Sequence, residues 1–288
     1  GLGRRLREQG RGSGHARVEA LFGQWSLQFS EICGYEPGST RLDARKLAQS
    51  YGVQDKTVDP LRLFFAIHTY YATLIKLLLV QIASFYAFPK LGTGLQQVAN
   101  YDTGKLREYL AKMERGGVFK DFGIGNFLEG DFFGWYLDVW DDEVDDGVRR
   151  IVSRLSEYSL VTLDVDPDNT RDLLKRLYQN LMPKALRHDL GEYYTPDWLA
   201  ERLLNQLGFT PGRRDLADKR LLDPACGSGT FLVLAIKRVR QWAAAQDTPV
   251  DEAGLLERIL ANVVGFDLNP LAVISARTNY LLALGDLL

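Results

Sequence analysis

Apolar positions in this chain keep helical spacing through its first half and change period only near residue 191. Val18, Leu21, Phe22, Trp25 and Phe29 predict an amphipathic helix over 18–32. Pro37 and Gly38 then mark a turn, and a short helix is expected over 42–51. Residues 61–88 are apolar on almost every side, with Asp59-Pro60 as a helix start. That length satisfies the ~20 apolar residues a membrane span needs. Arg62, His68, Lys76 and Gln81 interrupt it, so a helix buried in a bundle is expected rather than a membrane anchor. Glycines punctuate 92–125 around a helix predicted at 103–114.

Phe132, Phe133, Trp135, Tyr136 and Trp140 crowd one short stretch, followed by Asp141, Asp142, Glu143, Asp145 and Asp146. Aromatics beside a basic groove would suggest base stacking; beside acids they predict core packing under a solvated, acidic helix start. A nuclease metal site is the sharper reading of the acids, but no Glu-x-Lys occurs in the sequence. Asp164-Val-Asp-Pro-Asp168 opens like a calcium loop and fails where glycine and glutamate should stand, at Asn169 and Lys175. It reads instead as a turn with Asp168 or Asn169 capping a helix over 170–181, which Pro183 disrupts.

From 191 the pattern becomes α/β. An extended segment ends at Pro196, and a helix from Asp197 carries Trp198, Leu199, Leu203, Leu204 and Leu207 as its apolar stripe, with Gly208 as its stop. Leu221-Leu222 forms a strand, a Gly-x-Gly turn follows, and helices are expected at 231–245 and 251–261. A second strand spans 263–267, and Asn269-Pro270 starts a helix whose Leu271, Ile274, Thr278 and Leu281 face the sheet. Two helices between the strands are one more than a crossover requires.

The glycine turn carries the chemistry. Gly227 and Gly229 let the backbone turn sharply and approach a ligand, while the following helix offers unpaired N–H groups and a partial positive charge. Leu232 stands where a dinucleotide fingerprint has its third glycine, which favours a nucleoside cofactor over a pyrophosphate one. Cys226 has no histidine partner in sequence and reads as a small packing residue, not a nucleophile. Asp223 is expected either to bind ligand or to cap a helix starting near Ser228.

Composition adds bounds. The 288 residues are 46% apolar with a net charge of −2, enough for a sizeable core and without a global drive toward nucleic acid. Two cysteines, Cys33 and Cys226, exclude a disulfide framework and fit a reducing, cytoplasmic setting; metal chelation is not expected. Arg4, Arg5, Arg7, Arg11 and Arg17 outweigh Glu8 in a glycine-rich leader, read as flexible rather than as a phosphate-binding arm. A start at Gly1 and a stop at Leu288 directly after a helix fit a piece of a longer protein.

The run Asp-Pro-Ala-Cys-Gly-Ser-Gly-Thr-Phe-Leu at 223–232 resembles the S-adenosylmethionine motif of N6-adenine DNA methyltransferases of restriction-modification or phage-defence type. Gly-Glu-Tyr-Tyr-Thr-Pro-Asp-Trp-Leu-Ala at 191–200 and Val-Gly-Phe-Asp-Leu-Asn-Pro at 264–270 resemble two further segments of that family in the same order. The resemblance implies that Tyr194, Thr195 and Pro196 meet the methionine end of the cofactor, with Glu192 and Tyr193 beside them. Lid or core packing for the tyrosines, and a helix-entry cap for Thr195, are the alternatives. It assigns cofactor contact to Asp223, Pro224, Ala225, Cys226, Gly227, Gly229, Thr230 and Phe231, with Asp223 accepting from the cofactor's amino group. Asp267, with Leu268 beside it, is assigned the ribose hydroxyls.

The implied fold is α/β: a leader at 1–17, a helical linker or scaffold at 18–181, and at 182–288 the start of a Rossmann-like methyltransferase sheet, truncated after its second motif strand. The family's catalytic Asn/Asp-Pro-Pro-aromatic motif is absent from the sequence, so no catalytic residue is assigned and the 288 residues are expected to be inactive alone. Asp286 is likewise unassigned. Implied partners are DNA, through the complete protein, and specificity or nuclease modules of the same system. An RNA or protein methyltransferase with the same cofactor, or a non-catalytic helical scaffold with a vestigial pocket, are the other readings.

Overall fold

The computed structural model describes residues 13–33, 48–49, 51–52, 59–87, 94–125, 127, 132–157 and 195–287. The chain divides into two units, whose described parts are 13–157 and 195–287.

The first unit is helical: α1 (Ser13–Cys33), α2 (Pro60–Ala87), α3 (Gly94–Ala99), α4 (Thr103–Glu114), α5 (Gly117–Asp121), a 3-10 helix (Trp135–Val139) and α6 (Asp142–Glu157). Asp59 starts α2 by accepting the Leu61 amide at 3.0 Å, with Pro60 at the first helical position. The stretch Pro60–Ser84 is long and apolar enough to cross a membrane, yet 89% of its most apolar window is buried within the protein, packed against α1, α3, α5 and α6. A helix apolar on all sides needs neighbours on all sides. Its one fully buried cation, Lys76, meets Glu114 of α4 at 2.6 Å, and the Tyr136 hydroxyl donates to the same carboxylate at 2.9 Å. The aromatic run folds as expected into the core: Phe133, Trp135 and Tyr136 are buried, Trp135 stacks on Phe65, and its indole N–H donates to Thr69 Oγ1 at 2.7 Å. Asp141 caps the acidic helix by accepting the Val144 amide at 2.9 Å.

The second unit runs α7 (Asp197–Gln206), a 3-10 helix (Leu216–Asp218), β1 (Leu221–Asp223), α8 (Thr230–Ala244), α9 (Glu252–Asn262), β2 (Val263–Gly265), α10 (Pro270–Leu284) and a 3-10 helix (Gly285–Leu287). β1 and β2 pair in parallel, Leu221 opposite Val263 and Asp223 opposite Gly265. The crossover does contain two helices. α8 forms the centre of the core, packing on α7, α9, α10 and both strands through residues such as Leu232, Ala235, Ile236 and Val239.

Several expectations need correction. α1 begins at Ser13, inside the expected leader 1–17, because its first turns pack on the 3-10 helix at Trp135–Val139 and Arg17 pairs with Asp138. The stripe on α7 holds only in part: Leu204 is buried as expected, with Ala200 beside it, whereas Trp198 and Leu207 are 65% and 68% exposed. Periodicity gave a face, but the side turned to α8 is the one with the small residue. α10 packs on α8, not chiefly on the sheet. β2 stops at Gly265, short of the expected 267, opposite the end of β1 at Asp223. Of the helix expected at 42–51, Ala48 and Gln49 are described and helical. The turn at 37–38 and the readings at 164–183 lie outside the described residues.

Candidate functional site

The carboxyl ends of β1 and β2 lie side by side, and backbone bonding continues past them. The Phe266 amide donates to the Asp223 carbonyl and the Cys226 amide to the Phe266 carbonyl, each at 2.9 Å. This holds the loop after β1 beside the segment after β2.

Asp267 joins the two. Its Oδ2 accepts the Gly227 amide at 2.8 Å and its Oδ1 accepts the Asn269 amide at 2.8 Å. Asn269 then caps α10 by accepting the Leu271 amide at 3.0 Å. Each Asp267 oxygen keeps a further lone pair for another donor.

In the loop, Gly227 and Gly229 have φ of 54° and 87°, a left-handed conformation that side chains rarely adopt. A helix cannot include such residues. α8 therefore begins at Thr230, within one residue of the expected 231 and two residues after the Ser228 start that a cap by Asp223 would need, and Asp223 is not its cap. The first amides of α8 have no acceptor within the helix and carry its positive dipole end to the loop. Behind the loop lies α10: a β-carbon on Gly229 would stand 3.4 Å from Ala276, and Asn279 Nδ2 donates to the Ser228 carbonyl at 2.8 Å.

Asp223 accepts the Ala225 amide through Oδ1 at 3.2 Å, and its Oδ2 has no partner among the described residues. Burial raises its pKa, the Ala225 amide opposes that, and the Asp267 charge adds to it. Burial and then the Asp267 and Asp223 charges push the Cys226 thiol up to about 11. A thiol held protonated at neutral pH is a poor nucleophile. Its side chain instead packs against Gly265, where a β-carbon would come within 3.1 Å of the sulfur and 2.7 Å of Leu232 Cδ1.

The structure thus brings Asp223, Cys226, Gly227, Gly229, Thr230 and Asp267 together. Pro224 and Ala225 are exposed along the loop, Phe231 is partly buried against the core, and Leu268 beside Asp267 is 76% exposed. Thr195 and Pro196 precede α7, which packs on α8. The N-cap of α7 is Pro196, with no side-chain cap bond, so Thr195 is not the cap. Tyr194, with Glu192 and Tyr193, lies outside the described residues. Asp286 pairs with Arg240 in the 3-10 helix after α10. Sequence reasoning missed Gly265, Ala276 and Asn279. The one available signal was an asparagine directly before the apolar run 280–284 of a helix.

Residues 169–283 match the model of the family described as N-6 DNA Methylase. The chain is 31% identical over 151 residues to the adenine-specific methyltransferase PglX of Streptomyces coelicolor, covering 48% of this chain. It spans 12% of that relative's length. No solved structure matches. Through residues 169–283 the chain is therefore similar to the N-6 DNA Methylase family.

Proposed function

We propose that these residues form the S-adenosylmethionine-binding start of a DNA adenine-N6 methyltransferase. The observation that supports this best is the bond from the Gly227 amide to Asp267, which gathers two carboxylates and a helix N-terminus around one glycine loop. The donor set suits the cofactor. Asp267 keeps lone pairs for the ribose hydroxyls, and Asp223 keeps Oδ2 for the ammonium of the methionine end. The loop lets the ligand approach the backbone, and Thr195-Pro196 contributes at the methionine end. The bound cofactor supplies an electrophilic methyl group; the residues here bind and orient it.

In this reading β1, α8, α9 and β2 begin a Rossmann-like sheet, in which ligands sit beyond the carboxyl ends of the strands. DNA is the methyl acceptor and a restriction-modification or phage-defence system the setting. The family match and the adenine-specific relative support the acceptor; the setting rests on the resemblance of the sequence motifs alone.

Calorimetric titration of the 288-residue chain with S-adenosylhomocysteine tests the cofactor reading; saturable one-site binding is expected, and no binding would overturn it. These residues alone are expected to methylate no DNA, because the sequence lacks the Asn/Asp-Pro-Pro-aromatic motif that receives a flipped base. Transfer of a labelled methyl group to DNA by the chain alone would contradict that.

A further inference from the structure

Three polar side chains are buried on α10, and they behave differently. Ser275 and Thr278 donate to carbonyls of their own helix, Leu271 at 2.8 Å and Ile274 at 2.9 Å. Asn279, only 2% exposed, reaches outside the helix and donates to the Ser228 carbonyl at 2.8 Å. Its Oδ1 is buried without a partner among the described residues. An apolar side chain of similar size would avoid that unmet acceptor but leave the Ser228 carbonyl without its donor, so the two costs oppose one another and the net gain in stability from the asparagine is small.

What the asparagine does reach is the carbonyl between the two left-handed glycines. Three successive loop residues then each meet a residue outside the loop. Gly227 is held by Asp267, Ser228 by Asn279, and Gly229 by its close approach to Ala276. The peptide whose carbonyl meets Asn279 also sends its Gly229 amide to the Cys226 carbonyl at 2.8 Å, so both ends of that plane are fixed. Two glycines make such a loop unusually free to turn its peptides over.

We propose that Asn279 is a positioning residue that fixes the Ser228–Gly229 peptide in the orientation that receives the cofactor; this rests on the cofactor reading above. It touches no ligand itself.

The test compares the 288-residue chain with Asn279→Leu and with the smaller Asn279→Ala, each of which removes the donor. Three readouts are taken: thermal melting, hydrogen exchange of a peptide spanning 226–231, and S-adenosylhomocysteine titration. Asn279→Leu is expected to melt close to the parent, exchange faster in the loop, and bind about tenfold more weakly. Asn279→Ala is expected to show the same loop exchange and weakened binding, and it keeps the test open if the leucine variant does not fold. Parent-like loop exchange in a folded variant would overturn the proposal, as would affinity within twofold of the parent. If the parent itself binds nothing, the cofactor reading fails. Faster loop exchange in the variants would then still establish Asn279 as the residue holding this loop, for a different ligand.

Discussion

Asp267 Oδ2 accepts the Gly227 amide at 2.8 Å across 40 residues of sequence, and the carboxylate's other oxygen accepts the Asn269 amide. One side chain therefore shapes the glycine loop, holds the start of α10 and keeps lone pairs free for ligand. Its contribution to binding and its contribution to loop shape cannot be separated by a single deletion.

Asp267→Ala is expected to weaken S-adenosylhomocysteine binding at least tenfold, since a hydrogen bond to a charged group is worth ~1.5–3 kcal/mol and 1.4 kcal/mol is about tenfold. The Gly227 amide should also exchange faster without ligand. Asp267→Asn keeps one acceptor and should fall between parent and alanine in both calorimetry and exchange. An unchanged dissociation constant in the alanine variant would remove Asp267 from the site.

Asp223 yields a prediction of opposite sign for stability. Its folded pKa is raised above the ordinary 3.8, chiefly by burial. A raised value means that the folded state holds the proton more tightly than the unfolded state. The group's contribution is then most favourable below about 3.8 and is lost as pH rises through the folded value. At neutral pH the ionised carboxylate thus costs stability. Asp223→Asn should melt higher than the parent at pH 7, with the gap narrowing toward pH 4, while cofactor affinity falls. A lower melting point at pH 7 would contradict this.

The parts of the fold legible in the sequence are those written locally. α4 matches its expected bounds because Asp102 accepts the Lys105 amide at 2.9 Å and Gly116, with φ of 75°, ends the run. Gly208, with φ of 66°, stops α7 for the same reason. The strand–glycine loop–helix order was legible too, because glycine spacing and apolar runs are local signals. Facing was not. Spacing put Trp198, Leu199, Leu203, Leu204 and Leu207 on one stripe; of these Leu204 is fully buried, and only the packed structure adds Ala200 and leaves Trp198 and Leu207 exposed. Long-range polar contacts were also invisible: Asn279 and Ser228 are 51 positions apart, and Lys76 and Glu114 are 38.

Gly265 should tolerate no side chain. A β-carbon there meets Leu232 Cδ1 at 2.7 Å and Cys226 Cβ at 3.0 Å, both in the packed core. Gly265→Ala is expected to destabilise the chain by ~1–3 kcal/mol, the usual range for overpacking. Urea unfolding would read it as a lower midpoint. Adding Cys226→Ala should recover part of the loss by removing the sulfur, 3.1 Å from the new carbon. If Gly265→Ala unfolds at the parent's midpoint, β2 does not pack this closely on the loop.

In the helical unit, the Lys76 side chain is fully buried against a Glu114 side chain that is 6% exposed. Removing one member of a buried pair strands the other, which typically costs ~3–5 kcal/mol, whereas replacing both with apolar residues is often neutral. Lys76→Met should therefore lower the unfolding midpoint sharply. Lys76→Met with Glu114→Leu should recover most of the loss, less about 1 kcal/mol for the Tyr136 hydroxyl that loses its acceptor at 2.9 Å. Adding Tyr136→Phe to the double variant removes that stranded hydroxyl and should return stability close to the parent. Urea unfolding of the four chains checks the series. If Lys76→Met alone costs no more than an exposed pair, ~0–1 kcal/mol, water reaches the pair and the burial of α2 at Lys76 is wrong.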